Sequence, residues 1–172
     1  MNNAVVIMND GVYDFYKSDA PGQVIIEGFN PHFASLKHAP YVFIPETVTD
    51  FNTGITFNVA AIHGFSEPVV NRAGEVEISA DNVRTIVVRD GIERITDFAF
   101  CDCKDLMHLY LPSSVIYIPP KSRDMFIGCP CNPVIHCPKG SKVEELAKKY
   151  GYEYRYTSQL KTMLHNKDEE TR

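Results

Sequence analysis

The chain has 172 residues, 44% hydrophobic and 23% charged, and its 17 Lys and Arg against 22 Asp and Glu give a net charge of −5. That length fits one domain with a core of its own, and the composition excludes wholesale disorder. The negative balance, with no basic run, argues against a nucleic-acid or anionic-membrane partner, and the apolar stretch Ala4 to Met8 is too short for a signal-peptide core or a membrane span.

In chain order, Val5 to Met8 and Val12 to Tyr16 flank Asn9-Asp10-Gly11, a hairpin signal. Pro21-Gly22 makes a turn, and Val24-Ile25-Ile26 reads as a third strand. Residues 1–35 are therefore expected to form an N-terminal β cap, with docking of a partner as their alternative role. Residues 36–138 carry a repeat. Val83, Ile86, Val88, Ile92 and Ile95 return as Leu106, Leu109, Leu111, Val115 and Ile118, each 23 residues on. Phe100 and Cys103 return as Phe126 and Cys129 at an offset of 26, with Pro119 to Arg123 as the insertion. Ile135 and Cys137-Pro138 match Leu109 and Leu111-Pro112. Upstream, Val42, Ile44-Pro45, Val48 and Phe51 match Leu109, Leu111-Pro112, Val115 and Ile118 at an offset of 67. The 44-residue gap from Ile44 to Val88 is about two repeat lengths, which predicts a degenerate coil near Phe57 to Phe65 in a region, 57–80, where the pattern is weak. Val69-Val70 and Glu75 to Ile78 read as a hairpin around Asn71 to Gly74.

Each unit has a physical logic. Leu-x-Leu-Pro and Ile-x-Val alternate with period two, so each is a short strand with one buried face, and proline closes it by removing a ladder donor. Val-x-x-Ile followed by Ala99-Phe100 is spaced like a tight helical turn. One such unit cannot bury its apolar side, whereas stacked units can. A period of this size lies in the leucine-rich-repeat range.

Gly91 to Cys103 (GIERITDFAFCDC) and Leu109 to Val115 (LYLPSSV) resemble the BspA-type leucine-rich repeat. The resemblance covers residues 83–138 well and 41–65 more weakly; Thr96 stands where the family has glycine, and the first 40 residues lie outside it. Cys137-Pro138-Lys139-Gly140-Ser141, a helix and Tyr150-Gly151 look like the family's terminal cap. The resemblance implies an α/β repeat fold: a short solenoid of about 23-residue coils between an N-terminal β-hairpin cap and a C-terminal helical cap. It also implies a non-enzymatic adhesion or protein-binding role.

The residues beyond 138 give the second end its own signals. Ser141 and Glu144 form a capping box, Val143, Leu146, Ala147 and Tyr150 make one apolar stripe, Lys148 and Lys149 suit the last turn, and Gly151 suits the C′ position. A helix over 142–150 is thus expected within a cap of residues 139–157, followed by a flexible tail, 158–172.

Chemistry-bearing motifs are sparse. No Walker loop, nucleophile elbow or His-Glu-x-x-His occurs, so no catalytic residue is assigned and no cofactor is expected. Cys101, Cys103, Cys129, Cys131 and Cys137 offer an alternative, a metal-binding or thiol redox protein. Against it, the Cys-x-Cys spacing is tighter than a zinc knuckle's, and Cys103 and Cys129 fall where the resemblance implies a buried packing cysteine. An odd cysteine count and no glycosylation sequon point to a soluble, reduced, cytoplasmic protein; a removed leader would place it at the surface or outside the cell.

Strand alternation yields the candidate site. If Leu109 and Leu111 point inward, His108 and Tyr110 point outward, and the repeat register extends this to Tyr41, Phe43, Thr85, Val87, Val134 and His136. Three of these eight are aromatic, and aromatic side chains are favoured binding anchors. The function expected is a protein-protein interaction module presenting this face. Alternatively the N-terminal cap, the degenerate coil or a sister subunit covers this stripe, or the chain is a structural subunit whose stripe pairs with a copy of itself.

Overall fold

The structure, a computed structural model, describes residues 8–29, 40–64, 69–70, 76–78 and 83–157. The tail 158–172 and the first strand's residues before Met8 lie outside them. At the N-terminal end, β1 (Met8–Asn9) pairs antiparallel with β2 (Tyr13–Lys17), Met8 opposite Phe15. The Asp10 carboxylate shapes the turn, its Oδ1 accepting from the Val12 and Tyr13 amides at 2.8 and 2.7 Å. β3 (Gln23–Phe29) returns antiparallel to β2, and alternation buries Phe15, Val24 and Ile26 completely.

Next come β4 (Tyr41–Ile44), β5 (Thr47–Thr49) and β6 (Thr56–Ile62), then a small hairpin of β7 (Val69–Val70) with β8 (Val76–Ile78), where the sequence predicts one. They are followed by β9 (Thr85–Val88), β10 (Arg94–Ile95), β11 (His108–Tyr110), a single 3-10 turn at Lys121–Arg123, β12 (Val134–Cys137), α1 (Lys142–Tyr150) and β13 (Tyr154–Tyr156). Two larger sheets result. One runs β4-β9-β11-β12-β13 with every neighbouring pair parallel; the other runs β1-β2-β3-β6-β10, with β5 paired to β6. From β4 to β11 the chain passes from the first sheet to the second and back twice, through β6 and then β10.

Register in the all-parallel sheet follows the sequence offsets. Thr85, Ile86 and Val87 lie opposite His108, Leu109 and Tyr110, and these lie opposite Val134, Ile135 and His136. Columns of like-facing side chains form: Val42, Ile86, Leu109 and Ile135 are all buried, and Ile44, Val88, Leu111 and Cys137 are buried beside them. On the other sheet Ile62 lies opposite Ile95, and Arg94 bridges to Tyr117, its guanidinium 4.8 Å from that ring. Farther round each winding, Phe100 stacks on Phe126 with centroids 6.2 Å apart. Ser114 ties windings together, accepting from the Gly91 amide at 3.1 Å and donating to the Ile92 carbonyl at 2.9 Å.

Two expectations are corrected. Among the described residues no degenerate coil intervenes in the first sheet, because β4 pairs directly with β9, Tyr41 opposite Thr85 and Ile44 opposite Val88. Between them β5 and β6 lie in the second sheet, where β6 also takes β3 as a parallel neighbour. The helical-turn expectation is also corrected in part: Ala99 and Phe100 do lie in tight turns, the Ala99 amide donating to the Thr96 carbonyl and the Cys101 amide to the Phe98 carbonyl, but the segment before them does not. Val-x-x-Ile forms a two-residue strand and a bridge rather than a helical turn, since β-branched side chains lose little in extended backbone and Ile92, Ile95, Val115 and Ile118 all reach the core from it. Among the described residues the one α-helix is α1, and no helix is long and apolar enough to cross a membrane.

α1 starts and stops on its caps. Ser141 accepts from the Glu144 amide, and Gly151 takes the left-handed conformation, φ 77°, that a side chain would disfavour. Val143, Leu146 and Ala147 are buried against the last winding. Glu144 is buried too: it accepts from the Gly140 amide at 2.6 Å and from the Tyr156 hydroxyl at 2.8 Å, and pairs with Lys148. The Lys148 ammonium, then the Gly140 amide and Tyr156 hydroxyl, hold its carboxyl down at about 2. The helix is thereby fastened to β13, which the sequence reading missed.

Leu109→Ala should lower stability by about 2–5 kcal/mol, as a truncation at the centre of a column. Ile116→Ala, at a side chain 56% exposed, should change it by about 0.5 kcal/mol or less. Urea unfolding followed by circular dichroism measures both, and equal losses would refute the column assignment.

Candidate functional site

The outer face of the all-parallel sheet carries the predicted residues in two rows. Tyr41, Thr85, His108 and Val134 lie side by side across β4, β9, β11 and β12. Phe43, Val87, Tyr110 and His136 make the second row, which β13 extends with Arg155 opposite His136. Arg155 was not legible as part of this surface because no apolar repeat leads to β13. The alternation Tyr154-Arg155-Tyr156 was the signal available: both tyrosines turn toward α1 and Arg155 turns away.

The eight positions are not equally accessible, and two need correcting. Tyr41 is 57% exposed, and Phe43, His108, Tyr110, Val134 and His136 are half-buried, but Thr85 and Val87 are buried at 7% each. They are small side chains in the middle of rows whose neighbours are large. Strands lie about 4.8 Å apart, so Tyr41 and His108 shade Thr85, and Phe43 and Tyr110 shade Val87. The accessible part of this face is the ring edges, with these two as floor.

Ring geometry fixes one end of the face. Tyr110 and His136 stack with centroids 4.2 Å apart and planes 15° apart, and His108 meets His136 edge-on at 5.1 Å. His108 Nδ1 lies 3.1 Å from His136 Nε2, a hydrogen bond in which one ring nitrogen donates and the other accepts. Burial, then His108 and Arg155, push the His136 imidazole down to about 4, so it is neutral at physiological pH. At the other end the Arg89 guanidinium lies 5.9 Å from the Phe43 ring centroid, and the Tyr13 hydroxyl donates to the Phe43 carbonyl at 2.8 Å. β2 is thereby tied to β4, one sheet to the other.

The cysteines do not form a site. Cys103, Cys129 and Cys137 are buried, Cys101 is half-buried and Cys131 is exposed. The Cys129 thiol donates to the Phe100 carbonyl at 3.1 Å, and burial pushes it up to about 11. Cys131 turns instead to the Lys104 carbonyl at 3.7 Å, and burial raises Cys137 on its own strand. Among the described residues no group of three or more His, Cys, Asp or Glu gathers as metal ligands, so Cys101, Cys103, Cys129, Cys131 and Cys137 supply no metal cluster.

Because the folded protein holds His136 below its ordinary value of 6.5, the unfolded chain takes up the extra proton first. Stability is therefore full above pH 6.5 and declines as pH falls toward 4, beyond which this group adds no further loss. Glu144 acts in a lower window, from 4.5 to about 2. Urea midpoints across this pH range should show both losses, and His136→Gln should remove the upper one alone.

No family model and no curated protein matches the chain. Among solved structures it is similar to a leucine-rich cell surface protein of Faecalibacterium prausnitzii A2-165, at 15% identity and a TM-score of 0.44, over 91% of this chain and 31% of that one. It is similar to a leucine-rich repeat protein of Bacteroides ovatus at 20% identity and a TM-score of 0.47, over 80% and 32% of the two chains. A leucine-rich repeat protein of Bacteroides capillosus gives 19% identity and a TM-score of 0.41, over 76% and 97%. The chain spans about a third of the length of the first two. All three of these are leucine-rich or leucine-rich repeat proteins.

Proposed function

We propose that the chain is a short repeat solenoid, with coils of about 23 residues between an N-terminal β cap and a C-terminal helical cap, that works as a non-enzymatic protein-binding module. Its recognition surface is the outer face of the all-parallel sheet: Tyr41, Phe43, His108, Tyr110, Val134 and His136 over a floor of Thr85 and Val87, with Arg89 and Arg155 at the margins. The observation that carries this is the paired rows of aromatic and imidazole rings at outward positions of adjacent strands. Rigid rings lose little conformational freedom on binding and offer large contact area, and arginines at the margin add directional polar contacts. Strand pairing beneath them fixes their spacing before a partner arrives. β12 pairing with β13 and α1 packing on the last winding support the C-terminal cap, and β3 pairing with β6 supports a β cap at the opposite end. Five free thiols favour a reducing compartment, which we take to be the cytoplasm.

Binders selected from a displayed peptide library should be lost when Phe43→Ala and Tyr110→Ala are combined in a chain that still unfolds cooperatively. Each substitution alone should cost about 1–4 kcal/mol if it is an anchor. Binders indifferent to the double variant, or a surface that light scattering on dilution shows to be covered by a second copy of the chain, would overturn the proposal.

A further inference from the structure

The His108–His136 pair has a geometry that a hydrogen bond alone does not require. Both imidazoles stand on the outer face of adjacent, in-register strands, so their backbones are held by ladder bonds. The His136 ring plane is fixed further by stacking on Tyr110. The facing nitrogens, His108 Nδ1 and His136 Nε2, are 3.1 Å apart. Two donors at that separation subtend about 100° at an ion about 2.0–2.1 Å from each, close to the tetrahedral angle of about 109°. In that hydrogen bond one lone pair already faces the gap, and moving the donor ring's proton to its other nitrogen presents both.

We propose that His108 and His136 form a bidentate site for a divalent ion of imidazole preference, zinc, nickel or copper, on the outer face of the sheet. Binding replaces the N–H···N hydrogen bond: the proton of the donor ring moves through solvent to that ring's other nitrogen, so that each imidazole stays neutral with one N–H, Nδ1 of His108 and Nε2 of His136 each donate a lone pair, and water fills the remaining positions. Arg155, opposite His136, opposes the ion by like charge. The site does not depend on the protein-binding role of the face, although it would leave open positions for a partner's own ligand.

The test uses the full chain carrying Cys101→Ser and Cys131→Ser, so that no accessible thiol competes. Calorimetric titration with nickel chloride, and separately with zinc chloride, at pH 7.5 should show uptake of one ion per chain. His108→Ala and His136→Ala should each weaken uptake by about tenfold or more, since even outer-shell losses at metal sites cost about 10–100-fold. Arg155→Gln should tighten it, and His63→Ala should leave it unchanged. Proton NMR of the imidazoles in the chain with its histidines intact locates the ion whether or not a variant folds well. No uptake, uptake that survives both histidine variants, or resonances of His108 and His136 unmoved by the ion would overturn the proposal.

Discussion

Parallel, in-register pairing of β4, β9, β11, β12 and β13 is the constraint on which everything else rests. Once main-chain ladders set Thr85 against His108 and His108 against Val134, each side chain has no choice of neighbour. Inward positions must then be apolar in every winding, because a polar group in the column would be desolvated between two aliphatic neighbours. Outward positions are stacked just as strictly. The aromatic face follows from the same ladder bonds that build the core.

The stacked strands are flanked by two different kinds of element. At one end, α1 lays Val143, Leu146 and Ala147 over the last winding, and β13 takes the exposed edge of β12. The Glu144 carboxylate joins them through Gly140, Lys148 and Tyr156. A buried carboxylate would be costly alone; with two donors and an ammonium it stays ionised and locks helix to strand. At the other end β2 and β3 extend the second sheet through β6, and the Tyr13 hydroxyl crosses to the Phe43 carbonyl of the first. Burial keeps that phenol protonated, so it remains a donor.

Between these ends the outer face is chemically uneven. Its Tyr41 edge is open, its centre is floored by Thr85 and Val87, and its β12 edge holds a Tyr110–His136–His108 cluster beside Arg155. The cluster keeps His136 uncharged because its surroundings include a second imidazole and a guanidinium and little water. A neutral imidazole can stack, accept a hydrogen bond or ligate a metal, which an imidazolium does less well or not at all. On the cysteine-rich flank burial raises Cys129 and Cys137, and Cys129 and Cys131 turn to backbone carbonyls.

The sequence by itself determined the period, the inward columns and the rows of the outer face, since an alternation of two and offsets of 23 and 26 residues reappear unchanged as strand register. It also marked α1, because Ser141 and Gly151 cap by local rules that need no distant partner. It did not show that β4 would meet β9 directly, that Arg155 would join the face, or that Thr85 and Val87 would be shaded by their neighbours. It placed His108 and His136 one row apart without revealing that their nitrogens would approach to hydrogen-bond distance. Each of those depends on which strands become neighbours and how large the adjoining side chains are. Such pairings join residues tens of positions apart, and only the closed ladder of the tertiary structure decides them.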